Sequence, residues 1–208
     1  MKILYGTGNK DKIEAMKSII KSHNFDADIY TLKDIGFNED IIENGKTFEE
    51  NSEIKARVIQ EFCKKNNVLD KIIITDDAGI CIDKLNGEPG IYTARYAGEH
   101  ATQEQCINKV LDKLKEYTDM NDRTCKFVCV LTAILPNGNK VVARGECNGK
   151  IALKHGKLGG LTYGPIFIPD GFEKPMGDMD ESQYASVHNH RDTAMNELMI
   201  KFKELGYW

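Results

Sequence analysis

The sequence predicts a mixed α/β protein, and three observations carry that expectation. Short β-rich runs alternate with amphipathic helical stretches through the first half of the chain. KFVCVLTAIL, at 126–135, is followed by a Pro-Asn-Gly-Asn turn and then KVVARGEC, a pairing that reads as a long antiparallel hairpin. Near the end, 190–205 repeats Ala194, Leu198, Phe202 and Leu205 along one helical stripe.

In chain order, residues 2–6 read as a strand and 10–22 as a helix with Ile13, Met16, Ile19 and Ile20 on one face. A short strand is expected near 27–31, then an acidic irregular segment over 33–46. Residues 47–65 form the second helix, with Ile54, Val58 and Phe62 at i, i+4 and i+8. KIIIT at 71–75 is a buried strand, its three isoleucines leaving no polar face, and 80–83 is a further short strand. Ile107, Val110, Leu111 and Leu114 mark a third helix over 102–116. After the hairpin come a glycine-rich loop, 156–164, and a short strand over 165–168.

With 208 residues, 41% of them hydrophobic, the chain suffices for one domain, 1–208. A net charge of −4 argues against a nucleic-acid polymer as partner, which needs a broad basic face. No run approaches the roughly 20 apolar residues of a membrane span, and the N-terminus lacks a signal-peptide pattern. None of the six cysteines forms a Cys-x-x-Cys pair, so buried reduced thiols in a cytoplasmic protein are expected.

Three stretches carry chemistry. The first, Gly6-Thr7-Gly8-Asn9-Lys10-Asp11-Lys12, links a strand to a helix. Asp11 stands where a dinucleotide fingerprint needs its third glycine, and the Gly-Lys-Ser/Thr of a Walker loop is missing. What remains is a small-residue turn with Asn9 as N-cap: either an anion site at a helix N-terminus, with Lys12 reaching over it, or a plain connection. In the second, Thr47 and Glu50 make a capping box, and Asn51 and Lys55 share one helix face. Lys55 reads as a phosphate ligand or as a solvated lysine, and spacing alone favours the latter. The third is IIITDDAGI, where a buried strand ends in Asp76-Asp77. Two adjacent acids there call for a cation, and magnesium, which takes one or two carboxylates plus substrate phosphates, fits, with Glu43 a further candidate. Since strand neighbours point to opposite faces, one of the two acids is expected to touch the metal.

Together these stretches resemble the inosine triphosphate pyrophosphatase (Ham1-like) family. The matching residues are Thr7-Gly8-Asn9-x-x-Lys12, Glu43-x-Gly45-x-Thr47-Phe48-x-Glu50-Asn51 with Lys55-Ala56, and Asp76-Asp77-x-Gly79. Leu85-Asn86-Gly87-x-Pro89-Gly90-x-Tyr92-x-Ala94-Arg95-Tyr96-x-Gly98 and His190-Arg191 continue the match in order along nearly the whole chain. The resemblance implies an elongated mixed sheet in two lobes around a central cleft, and a homodimer. It also implies hydrolysis of noncanonical purine nucleoside triphosphates, those of inosine and xanthosine, to the monophosphate and pyrophosphate, as house-cleaning of the nucleotide pool. By the same resemblance, Thr7, Asn9, Lys12 and Lys55 hold the triphosphate, Glu43 and Asp77 take Mg2+, and Asp77 activates water with Asp76 in support. His190 and Arg191 contact the nucleotide.

The sequence departs from the family in one half of that set. Leu161 stands where an aromatic platform for the base is usual, Gly164 where an aspartate is, and Ala78 where a serine follows the acids. No lysine lies between Lys174 and Arg191. Tyr163, Phe172 and Tyr184 are the candidates for a replacement base contact, and Tyr163 is carried as a substrate-binding residue. Altered base selectivity, or a catalytically weak nucleotide-binding module, is therefore the rival reading.

Overall fold

The computed structural model describes residues 1–68 and 70–207. Among them the chain runs β1 (Lys2–Tyr5), α1 (Lys10–Ser22), β2 (Asp28–Thr31), α2 (Phe48–Lys65), β3 (Ile72–Ile82) and α3 (Gln103–Lys113). It continues with β4 (Thr124–Ile134), β5 (Lys140–Ile151), β6 (Phe167–Pro169), α4 (Glu181–Ser186) and α5 (His190–Glu204). The six strands form one mixed sheet in the order β2-β1-β3-β4-β5-β6. β1 lies parallel to both β2 and β3, and β5 is antiparallel to β6. The hairpin between β4 and β5 turns at Gly138, whose φ is +87°, where Leu135 N–H donates to the Asn139 carbonyl.

Four elements differ from expectation. The strands expected at 71–75 and 80–83 are one continuous strand, β3, because the acids between them are held by partners and do not turn out into water. On α2 the fully buried apolar positions are Ala56, Ile59 and Cys63, while Val58 and Phe62 are only partly covered at the edge of that core. Leu205 lies beyond the end of α5 and is exposed. A short helix, α4, was not expected. Its Asp180 and Gln183 form a reciprocal capping box, which the spacing in the sequence would have allowed.

The chain divides into two compact units. The first comprises Met1–Asp77, Cys129–Gly145 and Arg191–Trp208, the second Ala78–Val128 and Glu146–His190, so β3, β4 and β5 each contribute to both. In the first unit, Leu4, Ile73, Ala56, Ile59 and Cys63 pack α2 onto the sheet. Gly6 permits that approach: a Cβ there would stand 2.5 Å from Ile59 Cδ1 and 2.7 Å from Thr75 Cγ2. In the second unit, Ile80, Ile107, Val110, Phe127 and Phe167 form the core. Arg123 is buried beside it and donates to four carbonyls, those of Leu114, Tyr117, Ile151 and Ala152. This ties the C-terminal end of α3 to the end of β5. All six cysteines are free thiols, five of them buried, and burial pushes Cys129 up to about 12 and Cys147 to about 11. Among the described residues, no helix is long and apolar enough to cross a membrane.

Candidate active site

The first unit gathers the acids and lysines singled out above, and strand register explains how. β1 pairs with β3 as Ile3↔Ile72, Leu4↔Ile73 and Tyr5↔Ile74. β1 then ends, and Gly6 N–H closes the pair on the Ile74 carbonyl at 2.7 Å. Asp76 and Asp77 follow on β3 just past that end. Alternation puts Asp76 on the face of Ile74 and Tyr5, and Asp77 on the face of Ile73 and Thr75. The two acids therefore meet different partners.

Asp76 is almost wholly buried, at 3% exposed. Lys12 Nζ donates to its Oδ2 at 2.5 Å, Arg191 Nη2 stands 3.9 Å from the same oxygen, and the Tyr5 hydroxyl donates to Oδ1 at 3.3 Å. Burial opposes the negative charge, but Lys12 and Arg191 outweigh it and hold the carboxyl below its usual range. For Tyr5, burial and then the Asp76 carboxylate push the phenol well above its ordinary value, which keeps it a donor.

Asp77 faces α2. Asn51, 1% exposed, donates from Nδ2 to Asp77 Oδ2 at 3.1 Å. The other end of that amide is fixed too, because Gly45 N–H donates to Asn51 Oδ1 at 2.9 Å. Gly45 must be glycine for this, since a Cβ would come within 2.7 Å of both Asn51 Oδ1 and Glu50 Cβ. One residue on, Ser52 and Thr75 exchange hydrogen bonds, Ser52 Oγ to the Thr75 carbonyl and Thr75 Oγ1 to the Ser52 carbonyl. α2 is thus locked to β3 at the point where Asp77 projects. Thr47 caps α2 by accepting from Glu50 N–H at 3.1 Å, but Glu50 returns its carboxylate to Lys46 N–H, so only half of the expected capping box is made.

Lys55, one turn beyond Asn51, is not a solvated lysine. Its Nζ donates to Glu43 Oε2 at 2.8 Å and stands 3.7 Å from Asp77 Oδ1. Glu43 comes from the segment before α2, so an ammonium group bridges the two carboxylates. An oxygen pair already gathered about a cation suits a hard dication completed by phosphate oxygens. Among the described residues there is no cluster of three or more His, Cys, Asp or Glu side chains for a metal, so such an ion would depend on its ligand for the remaining contacts.

The first loop behaves as a capped turn. Thr7 Oγ1 accepts from Asn9 N–H at 3.2 Å, and Asn9 Oδ1 accepts from Lys12 N–H at 3.4 Å at the start of α1. Thr7, Asn9, Lys12, Glu43, Lys55, Asp76, Asp77 and Arg191 all belong to the first unit. Tyr163 and His190 belong to the second. Tyr163 has no exposed surface, and its hydroxyl donates to the Thr93 carbonyl at 3.1 Å. His190 is 3% exposed and stacks on Phe127, with ring centroids 4.9 Å apart. Of the other aromatic candidates in that unit, Phe172 packs on the core and Tyr184 is exposed. Two contributors were not on the list of expected site residues. Asn51 was detectable through its four-residue spacing to Lys55, but nothing local marks Tyr5 as anything other than core.

The Ham1 family model matches residues 3–201. A dITP/XTP pyrophosphatase from Clostridium perfringens is 35% identical over 202 residues, covering 97% of each chain. One from Bacillus subtilis is 34% identical over 195 residues, covering 94% of this chain and 93% of its own. The structure of the Staphylococcus aureus Ham1 protein superposes with a TM-score of 0.83 at 33% identity, covering 99% of this chain and all of its own. With the family model matching nearly the whole chain and relatives at 34–35% identity along most of it, this protein is a member of the Ham1 family.

Proposed function

We propose that this protein hydrolyses noncanonical purine nucleoside triphosphates, those of inosine, deoxyinosine and xanthosine, to the monophosphate and pyrophosphate. The observation that carries the reading is the Asn51–Asp77–Lys55–Glu43 group on β3 and α2, in a chain whose relatives at similar length are dITP/XTP pyrophosphatases. Phosphoanhydride hydrolysis needs an oriented water, a base to take its proton and cations on the phosphates. Asp77 serves as the base, and the Asn51 amide orients its carboxylate through Oδ2. Lys55 and Lys12 pair with phosphate oxygens, and the capped turn at Thr7 and Asn9 offers N–H donors at the start of α1. Asp76 supports the reaction by holding Lys12 and Arg191. His190 and Arg191 are the residues that the family resemblance assigns to the nucleotide, whereas Tyr163, carried as a substrate-binding residue, has no exposed surface and packs in the core of its unit.

Glu43 and Asp77 would hold Mg2+, which when bound supplies positive charge to the triphosphate. The proposal takes 1–208 as one functional domain, working as a cytoplasmic homodimer without membrane or nucleic-acid partners.

The test is pyrophosphate release with Mg2+ from each of the inosine, xanthosine, guanosine, adenosine, uridine and cytidine triphosphates. Inosine and xanthosine are expected to lead. Asp77→Asn is expected to lower kcat by about 100-fold or more with the melting temperature nearly kept; retained turnover in that variant would overturn the assignment. A shifted base preference is the second reading, favoured by Leu161 and Gly164 at positions where the family carries base-contacting side chains. Strong turnover of another nucleotide would select it. Binding without turnover of any would point to the nucleotide-binding module.

A further inference from the structure

We propose that Lys55 is a resident cation that keeps the place of the metal until a triphosphate arrives, so that free metal is held weakly and metal and nucleotide enter together. The inference rests on the metal assignment proposed above. Glu43 and Asp77 are brought to one ammonium group, at 2.8 Å and 3.7 Å, in a setting where the Lys55 and Asp77 side chains are only 13% and 12% exposed. A dication entering between the same oxygens meets a like charge at close range, and partial burial weakens the screening of that repulsion. The ammonium can leave only if another anion takes it, and a phosphate group of the substrate is such an anion.

The two sides of the arrangement differ in stiffness. Asp77 is held by Asn51, which Gly45 holds in turn, whereas Lys55 reaches Glu43 on a flexible four-carbon stem. The lysine is therefore the part that moves.

Charge balance points the same way. The gathered carboxylates Glu43, Asp76 and Asp77 stand against Lys12, Lys55 and Arg191, three charges of each sign. Metal alone would leave this neutral set at about +2 and a triphosphate alone at about −4, while each offsets part of the charge that the other brings. Each ligand then strengthens the binding of the other by the same factor.

Mn2+ binding to the intact protein, followed by electron paramagnetic resonance, tests this without turnover. In the unsubstituted protein, affinity for Mn2+ is expected to rise by about tenfold or more when an α,β-methylene inosine triphosphate is added, after correction for metal held by the analogue. Lys55→Met keeps the apolar stem and removes the charge. Without nucleotide it is expected to bind Mn2+ about tenfold more tightly than the parent, or better. Lys55→Arg is expected to stay close to the parent. If Lys55→Met melts cooperatively yet binds Mn2+ no better than the parent, while Glu43→Gln abolishes binding, the placeholder role is overturned and the metal site stands. If Glu43→Gln leaves Mn2+ binding with nucleotide unchanged, the metal assignment is overturned and this inference with it.

Discussion

Asp76 keeps its negative charge at nearly full burial because two cations and a phenol converge on it. Its carboxyl is held below the usual range in the folded protein, so it stabilises the fold at neutral pH. That contribution is complete above the unfolded-state value and is lost as pH falls through the folded one. The gap in melting temperature between the parent and Asp76→Asn is therefore expected to be widest at neutral pH and to close in the acid range; a constant gap would contradict it. Asp77 depends on Asn51 in a different way. Asn51→Ala removes the donor to Asp77 and the acceptor for Gly45 N–H, so it is expected to cost about 1–3 kcal/mol in urea unfolding. Freed from its orienting bond, Asp77 is expected to lose about 100-fold in kcat. The residue types needed for this chemistry were legible in the sequence, as acids at a strand end and lysines at helical spacing. Their partners were not: alternation says that Asp76 and Asp77 face apart, but only the register of β1 against β3 puts Tyr5 on one side, and only the packing of α2 on β3 puts Asn51 on the other.

At the scale of elements, periodicity located the long helices, because a face packed on a sheet must repeat every three to four residues. It failed where composition imitates another state. The sequence ends one strand at Asp76-Asp77 and begins another at 80, yet β3 passes straight through, since both carboxylates are satisfied where they stand. α4 is six residues long, too short to show an apolar period, and only its cap marked it. The lock between α2 and β3 depends on the first turn of α2 being formed. Thr47→Ala removes the acceptor for Glu50 N–H and is expected to cost about 1 kcal/mol, read as a lower urea midpoint with an unchanged slope. In the second unit Arg123 holds an element end in place with its charge satisfied by carbonyls alone. Arg123→Met would leave those acceptors without their donor, at an expected cost on the order of 2–4 kcal/mol by the same measurement.

For the whole molecule, local alternation predicted a mixed sheet, and the structure has one. The strand order was not legible, because which strand lies beside β1 is settled by long-range packing that no short window contains. The first unit is assembled from three separated stretches, Met1–Asp77, Cys129–Gly145 and Arg191–Trp208. A chain stopped after Asn189 lacks α5 with Ala194, Leu198 and Phe202, all buried, and it lacks Arg191 beside Asp76. Such a chain is expected to lose its cooperative melt, as followed by circular dichroism. The same layout has a consequence during translation. A ribosome delivers the β3 acids early and their last cation late, so the nascent chain carries Asp76 through most of synthesis without the arginine that balances it. Chains released prematurely would thus display the acids without the finished site, and quality-control proteases would meet them as unfolded polypeptide.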